Sequence, residues 1–206
     1  MQNATAQLTD LREEKLMQQL KERIIAEGRI LPGNIIKIDG FLNHKVDIKL
    51  MRAMAREFKK LFDTNGLTAI LTVEASGIPL GTICAEEFGV PLLFAKKAKS
   101  DNIEGGLYKS DIFSYTYGKK VTLLVAKQWL KSTDKVLIID DFLANGEALR
   151  GLVDIVTQAG AELLGIGIAV EKGFQPGGFL MREAGHNLKS LAIIDKADEN
   201  GFEFRD

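Results

Sequence analysis

Runs of apolar residues alternate with amphipathic stretches along most of the chain, and this alternation predicts a sheet covered by helices. Apolar runs of strand length occupy residues 67–73, 90–95, 135–140, 163–170 and 188–194. Patterns typical of helices occupy residues 47–62, 80–88 and 176–185 and a stretch that ends near residue 159. Because the apolar runs are continuous rather than alternating, each strand is expected to be buried on both faces. The pattern therefore predicts an α/β fold, with a mainly parallel twisted sheet and helices on both faces.

Helix-capping residues support this interpretation at two places. Asp10 and Glu13 can form a capping box for an N-terminal helix that ends near Glu27, with Gly28 as its C-cap. Asp47 is placed to cap the helix that follows it. Both signals fall where the apolar spacing also predicts that a helix starts or ends.

The remaining segments predict a short strand, a loop and a hairpin. Residues 34–39 have the composition of a short strand, and residues 96–112 are polar and contain glycine, which predicts a long loop. Residues 112–117 and 121–126 flank a Gly-Lys-Lys turn and predict a hairpin. Residues 188–194 are expected to form the last strand.

Composition limits the kinds of function that this chain can have. Its 206 residues are 46% hydrophobic and 27% charged, with a formal net charge of −1, which predicts one globular domain without a general nucleic-acid-binding surface. One cysteine cannot form an intramolecular disulfide, and two histidines are too few for a Cys/His zinc site. The N-terminus lacks the apolar core of a signal peptide, and no apolar run is long enough to span a membrane. We expect a cytoplasmic protein.

The strongest chemical signal is a pair of adjacent acids, Asp140 and Asp141, directly after an apolar strand. In parallel α/β sheets ligands bind beyond the carboxyl ends of the strands, so residues 74–78, 140–148 and 171–177 are expected to meet. Adjacent carboxylates raise each other's pKa, so the pair needs a cation or hydrogen-bond donors beside it. The pair is therefore a candidate ligand site, although acids at strand ends also cap helices.

A sugar phosphate fits the local arrangement. The helix that follows the acids offers unpaired N–H groups to a phosphate, while vicinal ribose hydroxyls can donate to carboxylates. A receiver domain also clusters acids at strand ends. That fold needs a phospho-acceptor aspartate after another strand, and no other apolar run before residue 170 ends in one, apart from the short run at 34–39. The receiver interpretation is rejected.

The segment VLIIDDFLANG, residues 136–146, resembles the motif by which type I phosphoribosyltransferases bind 5-phosphoribosyl-1-pyrophosphate (PRPP). Three further segments are similar to features of the xanthine phosphoribosyltransferase branch: IDGFLNH (38–44), ANGEA (144–148) and EKGFQPG (171–177). Their order also matches, from about residue 22 to residue 204. The resemblance implies that the sequence-predicted sheet is the type I phosphoribosyltransferase fold.

The resemblance implies roles for the PRPP-binding residues. Asp140 and Asp141 would hold the ribose hydroxyls, directly or through water and Mg²⁺, which is held mostly by the substrate. The 5-phosphate would lie in a cradle, and the pyrophosphate would meet backbone amides and cations. The cradle residues are Ala144, Asn145, Gly146, Glu147 and Ala148; the pyrophosphate candidates are Ala75, Ser76, Gly77, Lys96 and Lys97.

Each of these roles has a plainer alternative. Ser76 could cap a helix, and the lysines could form a solvated rim. Glu147 stands where the branch is expected to have glutamine, and a carboxylate beside a phosphate is unfavourable unless its side chain turns away. Its backbone N–H would then be its contribution to the cradle.

The base would contact Ile36, Asn43 and Lys172, with Phe174 able to stack on it or to cover the edge of the sheet. The amide of Asn43 can donate and accept, which fits a purine edge. Lys172 can donate to an exocyclic oxygen, which disfavours adenine because adenine carries an amino group at C6. The preference for xanthine over guanine or hypoxanthine comes from the resemblance. Asn43 could also cap a helix, and Lys172 could be a surface residue.

The implied function is purine salvage by Mg²⁺-dependent phosphoribosyl transfer to xanthine, in a homodimer. The expected single domain, 1–206, comprises an N-terminal extension and helix (1–27), a base-binding hood (28–46) and a mobile loop with a hairpin (96–120). One alternative is an enzyme that acts on guanine, hypoxanthine or orotate. The other is a PRPP-binding, purine-responsive transcriptional regulator, for which roughly thirty preceding residues are too few to form a helix-turn-helix unit.

Overall fold

The computed structural model describes residues 18–97, 106–114 and 118–205 of the chain. Within these ranges the helices are α1 (18–27), α2 (Ile48–Leu61), α3 (Gly77–Phe88), α4 (Glu147–Ala159) and α5 (Gly177–Glu183). The strands are β1 (Arg29–Leu31), β2 (Ile35–Lys37), β3 (Ala69–Val73), β4 (Leu92–Ala95), β5 (Leu107–Ser114), β6 (Lys119–Ala126), β7 (Lys135–Leu143), β8 (Glu162–Lys172), β9 (Leu188–Asp198) and β10 (Gly201–Phe204).

Six of these strands form one sheet in the order β10-β9-β8-β7-β3-β4. All neighbours are parallel except β10, which runs antiparallel to β9. β7 lies in the middle and is buried along nearly its whole length. The predicted α/β fold with a mainly parallel sheet is confirmed, and the carboxyl ends of β3, β7 and β8 meet at one edge.

Helices cover both faces of this sheet, as predicted. On one face α1, α2 and α3 bury residues such as Ile24, Met51 and Leu80 against it. On the other face α4 packs with the β5–β6 hairpin, and Leu152 and Leu123 belong to that second core cluster. The central strands lie between two apolar layers, which explains their continuous apolar sequence.

Two glycines of β8 allow α2 to pack closely on the sheet. A Cβ added at Gly165 would lie 2.6 Å from the ring of Phe62, and one at Gly167 would lie 2.9 Å from the ring of Phe58. Both rings are buried in the core. The GIGIAV segment is therefore a strand whose glycines accommodate two aromatic rings, Phe58 of α2 and Phe62 at its C-cap.

The predicted caps of the first two helices are found where the structure describes them. The Gly28 N–H donates to the Ile24 carbonyl at 2.8 Å at the end of α1. Asp47 Oδ1 accepts from the N–H groups of Lys49 and Leu50, which starts α2. The Asp10 and Glu13 capping box lies outside the described residues.

Two element boundaries differ from the sequence prediction for physical reasons. α3 begins at Gly77 rather than at residue 80. Pro79 is compatible with its first turn, because the backbone N–H that proline lacks has no intrahelical partner there. β7 continues past Asp140 to Leu143, because Leu143 still pairs with Glu171 of β8. The acid pair therefore lies within the strand end rather than after it.

The prediction of a loop over residues 96–112 is wrong for its last part. Residues 107–112 belong to β5, which pairs with β6 along its whole length. The predicted hairpin is thus confirmed but longer, while residues 98–105 and 115–117 lie outside the described ranges.

Two strands were not predicted. β1 pairs with β2 through a connection in which Gly33 and Asn34 both have positive φ. β10 follows β9, so residues 188–194 do not belong to the last strand of the chain. In the described ranges no helix is long and apolar enough to cross a membrane.

We expect Gly167→Ala to destabilise the fold by about 1–3 kcal/mol, because the added methyl group overpacks the contact between β8 and α2. Urea denaturation followed by circular dichroism measures the change. Gly40→Ala is the matched control, since a Cβ there meets no heavy atom of the described residues within 4 Å. Equal stability of both variants would contradict the packing account.

Candidate active site

A cavity of about 750 Å³ opens at the carboxyl ends of β3, β7 and β8. This volume lies within the range of roughly 300–1,000 Å³ that is usual for small-molecule sites. The sequence-predicted residues that line it are Ile36, Asn43, Ala75, Ser76, Lys97, Asp140, Asp141, Ala144, Asn145, Gly146, Glu147, Ala148 and Lys172. The three segments expected to meet therefore contribute to one cavity.

Three predicted residues do not line the cavity. Gly77 is buried behind it, where an added Cβ would clash with Thr72 and Asp140. Lys96 is exposed, and its backbone pairs with Leu124 of β6. Phe174 is 37% exposed. Their proposed contacts with substrate stay predictions.

Other lining residues were not predicted from the sequence. Asp39, His44 and Phe142 lie inside segments already singled out, so their positions beside Asn43 and Asp141 were a usable signal. Ile112 and Phe113 come from the part of β5 that was predicted as a hairpin strand but not as part of the site. Further apolar walls come from Val73, Leu143 and Leu149.

Hydrogen-bond donors surround the carboxylate of Asp141. The Asn43 Nδ2 group donates to its Oδ2 at 2.7 Å, and the Ser76 hydroxyl donates to its Oδ1 at 3.0 Å. The Asp141 N–H in turn donates to Asp140 Oδ1 at 3.0 Å. Donors from the hood and from the turn after β3 thus offset the repulsion between the two acids.

Asp140 lies in an environment that is unfavourable for a charged carboxylate. It is 4% exposed. Burial, together with the neighbouring charge of Asp141, raises the pKa of Asp140 well above its usual range, and the positive charge of Lys97 opposes this increase. An additional cation or donor in the cavity would therefore be stabilising there.

The segment after the acids has the shape of an anion cradle. Gly146 is the N-cap of α4 and has φ of 85°, which a residue with a side chain rarely adopts. The Gly177 N–H donates to the Ala144 carbonyl at 3.1 Å, and a Cβ on Gly177 would come within 2.7 Å of the Gly146 nitrogen. Close backbone packing thus fixes the cradle beside the N-terminus of a 13-residue helix.

The turn after β3 faces the same space. The Glu74–Ala75 peptide bond is cis, and the Glu74 carboxylate accepts from the Lys97 N–H. Ser76 occupies the N-cap position of α3, but its side chain makes no capping hydrogen bond. Its hydroxyl is instead directed to Asp141, which distinguishes it from an ordinary cap.

Lys172, at the end of β8, lines the same cavity. Its side chain is half-buried, and burial lowers its pKa. The ammonium nitrogen lies 5.3 Å from the ring centroid of Phe142. A partly desolvated cation that lines the same cavity as the Asn43 amide can donate to an oxygen-bearing ligand.

The segment that carries Lys172 is anchored by a buried ion pair that was not predicted. Arg182 donates two hydrogen bonds, of 2.8 and 2.7 Å, to the carboxylate of Glu171, which is 2% exposed. Ser190 donates to the same carboxylate. Burial raises the pKa of Glu171, but these donors outweigh it and the pKa is lowered. The backbone next to Lys172 is therefore held by side chains of α5 and β9.

We expect Asp140→Asn to stabilise the ligand-free protein by about 1 kcal/mol at pH 8, because it removes a buried charge beside Asp141. The folded pKa of Asp140 is raised, so its carboxyl group destabilises the fold increasingly as pH rises above the unfolded value of about 3.9. The advantage of the variant should therefore shrink as pH falls towards 4.

Urea denaturation at several pH values measures this difference. Asp63→Asn, at an exposed loop position, is the control and should show no comparable gain. An Asp140→Asn variant that is less stable than wild type at pH 8 would contradict the account of the acid pair.

Comparisons with known proteins agree with this geometry. Residues 42–177 match the phosphoribosyl transferase domain. The chain is 54% identical to the xanthine phosphoribosyltransferase of Ruminiclostridium cellulolyticum, over 90% of this chain and 97% of that protein. It is 53% identical to the xanthine phosphoribosyltransferase of Lachnoclostridium phytofermentans, over 87% of this chain and 92% of that protein.

Solved structures share the fold at lower sequence identity. The adenine phosphoribosyltransferase of Giardia lamblia, complexed with 9-deazaadenine, superposes with a TM-score of 0.71 at 23% identity, covering 84% of this chain and 96% of that one. The Saccharomyces cerevisiae adenine enzyme gives 0.69 at 20% identity, covering 86% and 98%. From the fold, the matched domain and the close relatives together, the chain belongs to the xanthine phosphoribosyltransferase family.

Proposed function

We propose that this protein transfers the 5-phosphoribosyl group of PRPP to xanthine in a Mg²⁺-dependent reaction of purine salvage. The products are xanthosine 5′-monophosphate and pyrophosphate. The observation that carries the proposal is the single cavity in which the acid pair, the cradle and Lys172 meet. Relatives named xanthine phosphoribosyltransferase, at 54% and 53% identity, support the choice of base.

In this proposal Asp140 and Asp141 accept hydrogen bonds from the ribose hydroxyls. Asp141 accepts hydrogen bonds from two donors. Asn43 belongs to the proposed base-binding residues, and Ser76 belongs to the turn after β3. Asp141 thus lies where all three parts of the ligand would converge. Its hydrogen bonds hold the carboxylate in place before substrate arrives, which lowers the cost of organising the site.

The carboxylate oxygens of the acid pair fit Mg²⁺, which prefers oxygen ligands and keeps several of its waters. Among the described residues no three His, Cys, Asp or Glu side chains cluster to hold a metal. We therefore propose that substrate oxygens hold the ion for the most part, with Asp140 and Asp141 as its protein contacts. When bound, it supplies positive charge to the leaving pyrophosphate.

The phosphates at the two ends of PRPP would meet different parts of the cavity. Backbone N–H groups of residues 144–148 face the 5-phosphate, since they lie at the start of α4. Residues 75–77 would contact the pyrophosphate through backbone amides, and Lys97 and the more distant Lys96 would add positive charge. These contacts stabilise charge that grows as pyrophosphate departs.

The base would lie between Ile36, Asn43 and Lys172, with Phe174 as a further proposed contact. Lys172 donates to an exocyclic oxygen, and Asn43 supplies an amide to the purine edge. A base nitrogen then attacks the ribosyl centre as pyrophosphate leaves, without a covalent enzyme intermediate. The protein acts by positioning the reactants and by electrostatic stabilisation.

We also propose the wider setting of this activity. The described residues form one domain, in which residues 28–46 are the hood over the base. The protein acts as a cytoplasmic homodimer, with small-molecule substrates and without nucleic-acid or membrane partners. Sedimentation velocity tests the dimer.

We expect xanthine to be the preferred acceptor in an assay of PRPP consumption with xanthine, guanine, hypoxanthine, adenine and orotate. Pyrophosphate release, with and without Mg²⁺, measures the reaction.

The variant with Asp140→Asn and Asp141→Asn should remain folded by circular dichroism but lose turnover. Absence of PRPP consumption with every base would refute the proposal, and DNA retention in a mobility assay would favour a transcriptional regulator.

We expect Lys172→Met to raise the KM for xanthine by about tenfold or more, because an ionic hydrogen bond to an oxygen of the base is lost. The KM for PRPP should change much less, since Lys172 lies at the base end. Lys189→Met, at an exposed position of β9, is the control for loss of one positive charge. Equal effects on both substrates would argue against a base-specific contact.

A further inference from the structure

The outer edge of β5 is covered by side chains of α4 instead of by another strand. β5 pairs with β6 on one side. On the other side the Phe113 N–H donates to Glu147 Oε2 at 3.1 Å, and the Asp111 carbonyl accepts from Arg150 Nη2 at 2.9 Å. Further along, the Lys109 carbonyl accepts from Gln158 Nε2 at 2.8 Å. These contacts at alternate residues of β5 fix the hairpin against the helix that begins at the cradle.

Close packing of hairpin side chains on the backbone of α4 reinforces this arrangement. A Cβ added at Gly151 of α4 would lie 2.7 Å from Ile112 Cγ2 and 2.8 Å from Leu123 Cδ1 of the hairpin. Ile112 and Phe113 also line the cavity. The position of the hairpin relative to α4 therefore determines part of the cavity wall next to the cradle.

Glu147 connects this contact with the phosphate cradle. It is the first residue of α4 and lines the cavity, and its carboxylate is paired with Arg150, with Nη2 to Oε2 at 3.0 Å. The hydrogen bond from Arg150, and then that from the Phe113 N–H, lower the pKa of Glu147, so the group is ionised at neutral pH. An anionic side chain thus stands in a cradle expected to receive an anion.

We propose that Arg150 is a positioning residue for PRPP: by pairing with Glu147 it neutralises that carboxylate and holds it on β5, away from the 5-phosphate. This inference rests on the proposed function, because it assumes that the phosphate binds over residues 144–148. Without Arg150, Glu147 would retain its charge and lose the partner that directs it to the hairpin. The uncompensated carboxylate would then repel the phosphate.

The test compares wild type with Arg150→Met and with the double variant Glu147→Gln, Arg150→Met. Arg150→Met should raise the KM for PRPP on the order of tenfold, while kcat and the KM for xanthine stay within about twofold. The increase should be smaller at high salt, which screens charge repulsion. The double variant should recover most of the affinity, since the repelling charge is gone.

Arg52→Met is the matched control. Arg52 forms an ion pair with Glu86 between α2 and α3, and its side chain is 52% exposed, compared with 49% for Arg150. The Arg52→Met substitution removes the same charge at a similar exposure, so the KM of this variant for PRPP should equal that of wild type. Exposed pairs of this kind contribute little to stability, so both single variants should fold.

Two results would overturn the role of Arg150 while wild type remains active. One is an unchanged KM for PRPP in Arg150→Met. The other is a double variant as impaired as the single one, which would mean that Arg150 acts by packing rather than by neutralising charge. A wild-type protein that does not consume PRPP would instead overturn the proposed function itself.

Discussion

The carboxylate of Asp141 is the point on which the arrangement of the site depends. A buried anion next to another acid is stable only when donors meet it, and these donors come from two segments distant in sequence, Asn43 and Ser76. The same hydrogen bonds therefore satisfy Asp141 and hold the hood and the turn after β3 in place. The fold brings the acid pair to the middle of the sheet edge, because β7 lies between β3 and β8.

A second constraint is how tightly the backbone approaches itself around the cradle. Gly177 packs on the cradle backbone through a contact that leaves no room for a side chain, and its N–H binds the Ala144 carbonyl. The segment that carries Lys172 ends at this glycine and is anchored by Glu171 and Arg182. The backbone beside Lys172 and the backbone of residues 144–146 are thus parts of one connected structure.

The sequence was sufficient for the layers of the fold and for most of the cavity, since continuous apolar runs and the acid pair are local signals. It was insufficient for residues 107–111 of β5, where Ser110 occupies a buried position and Lys109 and Asp111 face outward, so the alternation looked like a polar loop. Ile112 and Phe113 lie in the predicted hairpin, but the sequence did not show that this hairpin packs beside the cavity. The direction of the Glu147 side chain was also beyond the sequence, because it depends on a strand that only the fold brings beside α4.

The paired glycines of β8 have a consequence for how this family can change. Gly167 faces the ring of Phe58 in α2, and Gly165 faces the ring of Phe62 at the C-cap of that helix. A larger residue on the strand is compatible with the same helix position only if the facing ring becomes smaller. These positions should therefore vary together among relatives, and an isolated exchange at either one should be rare.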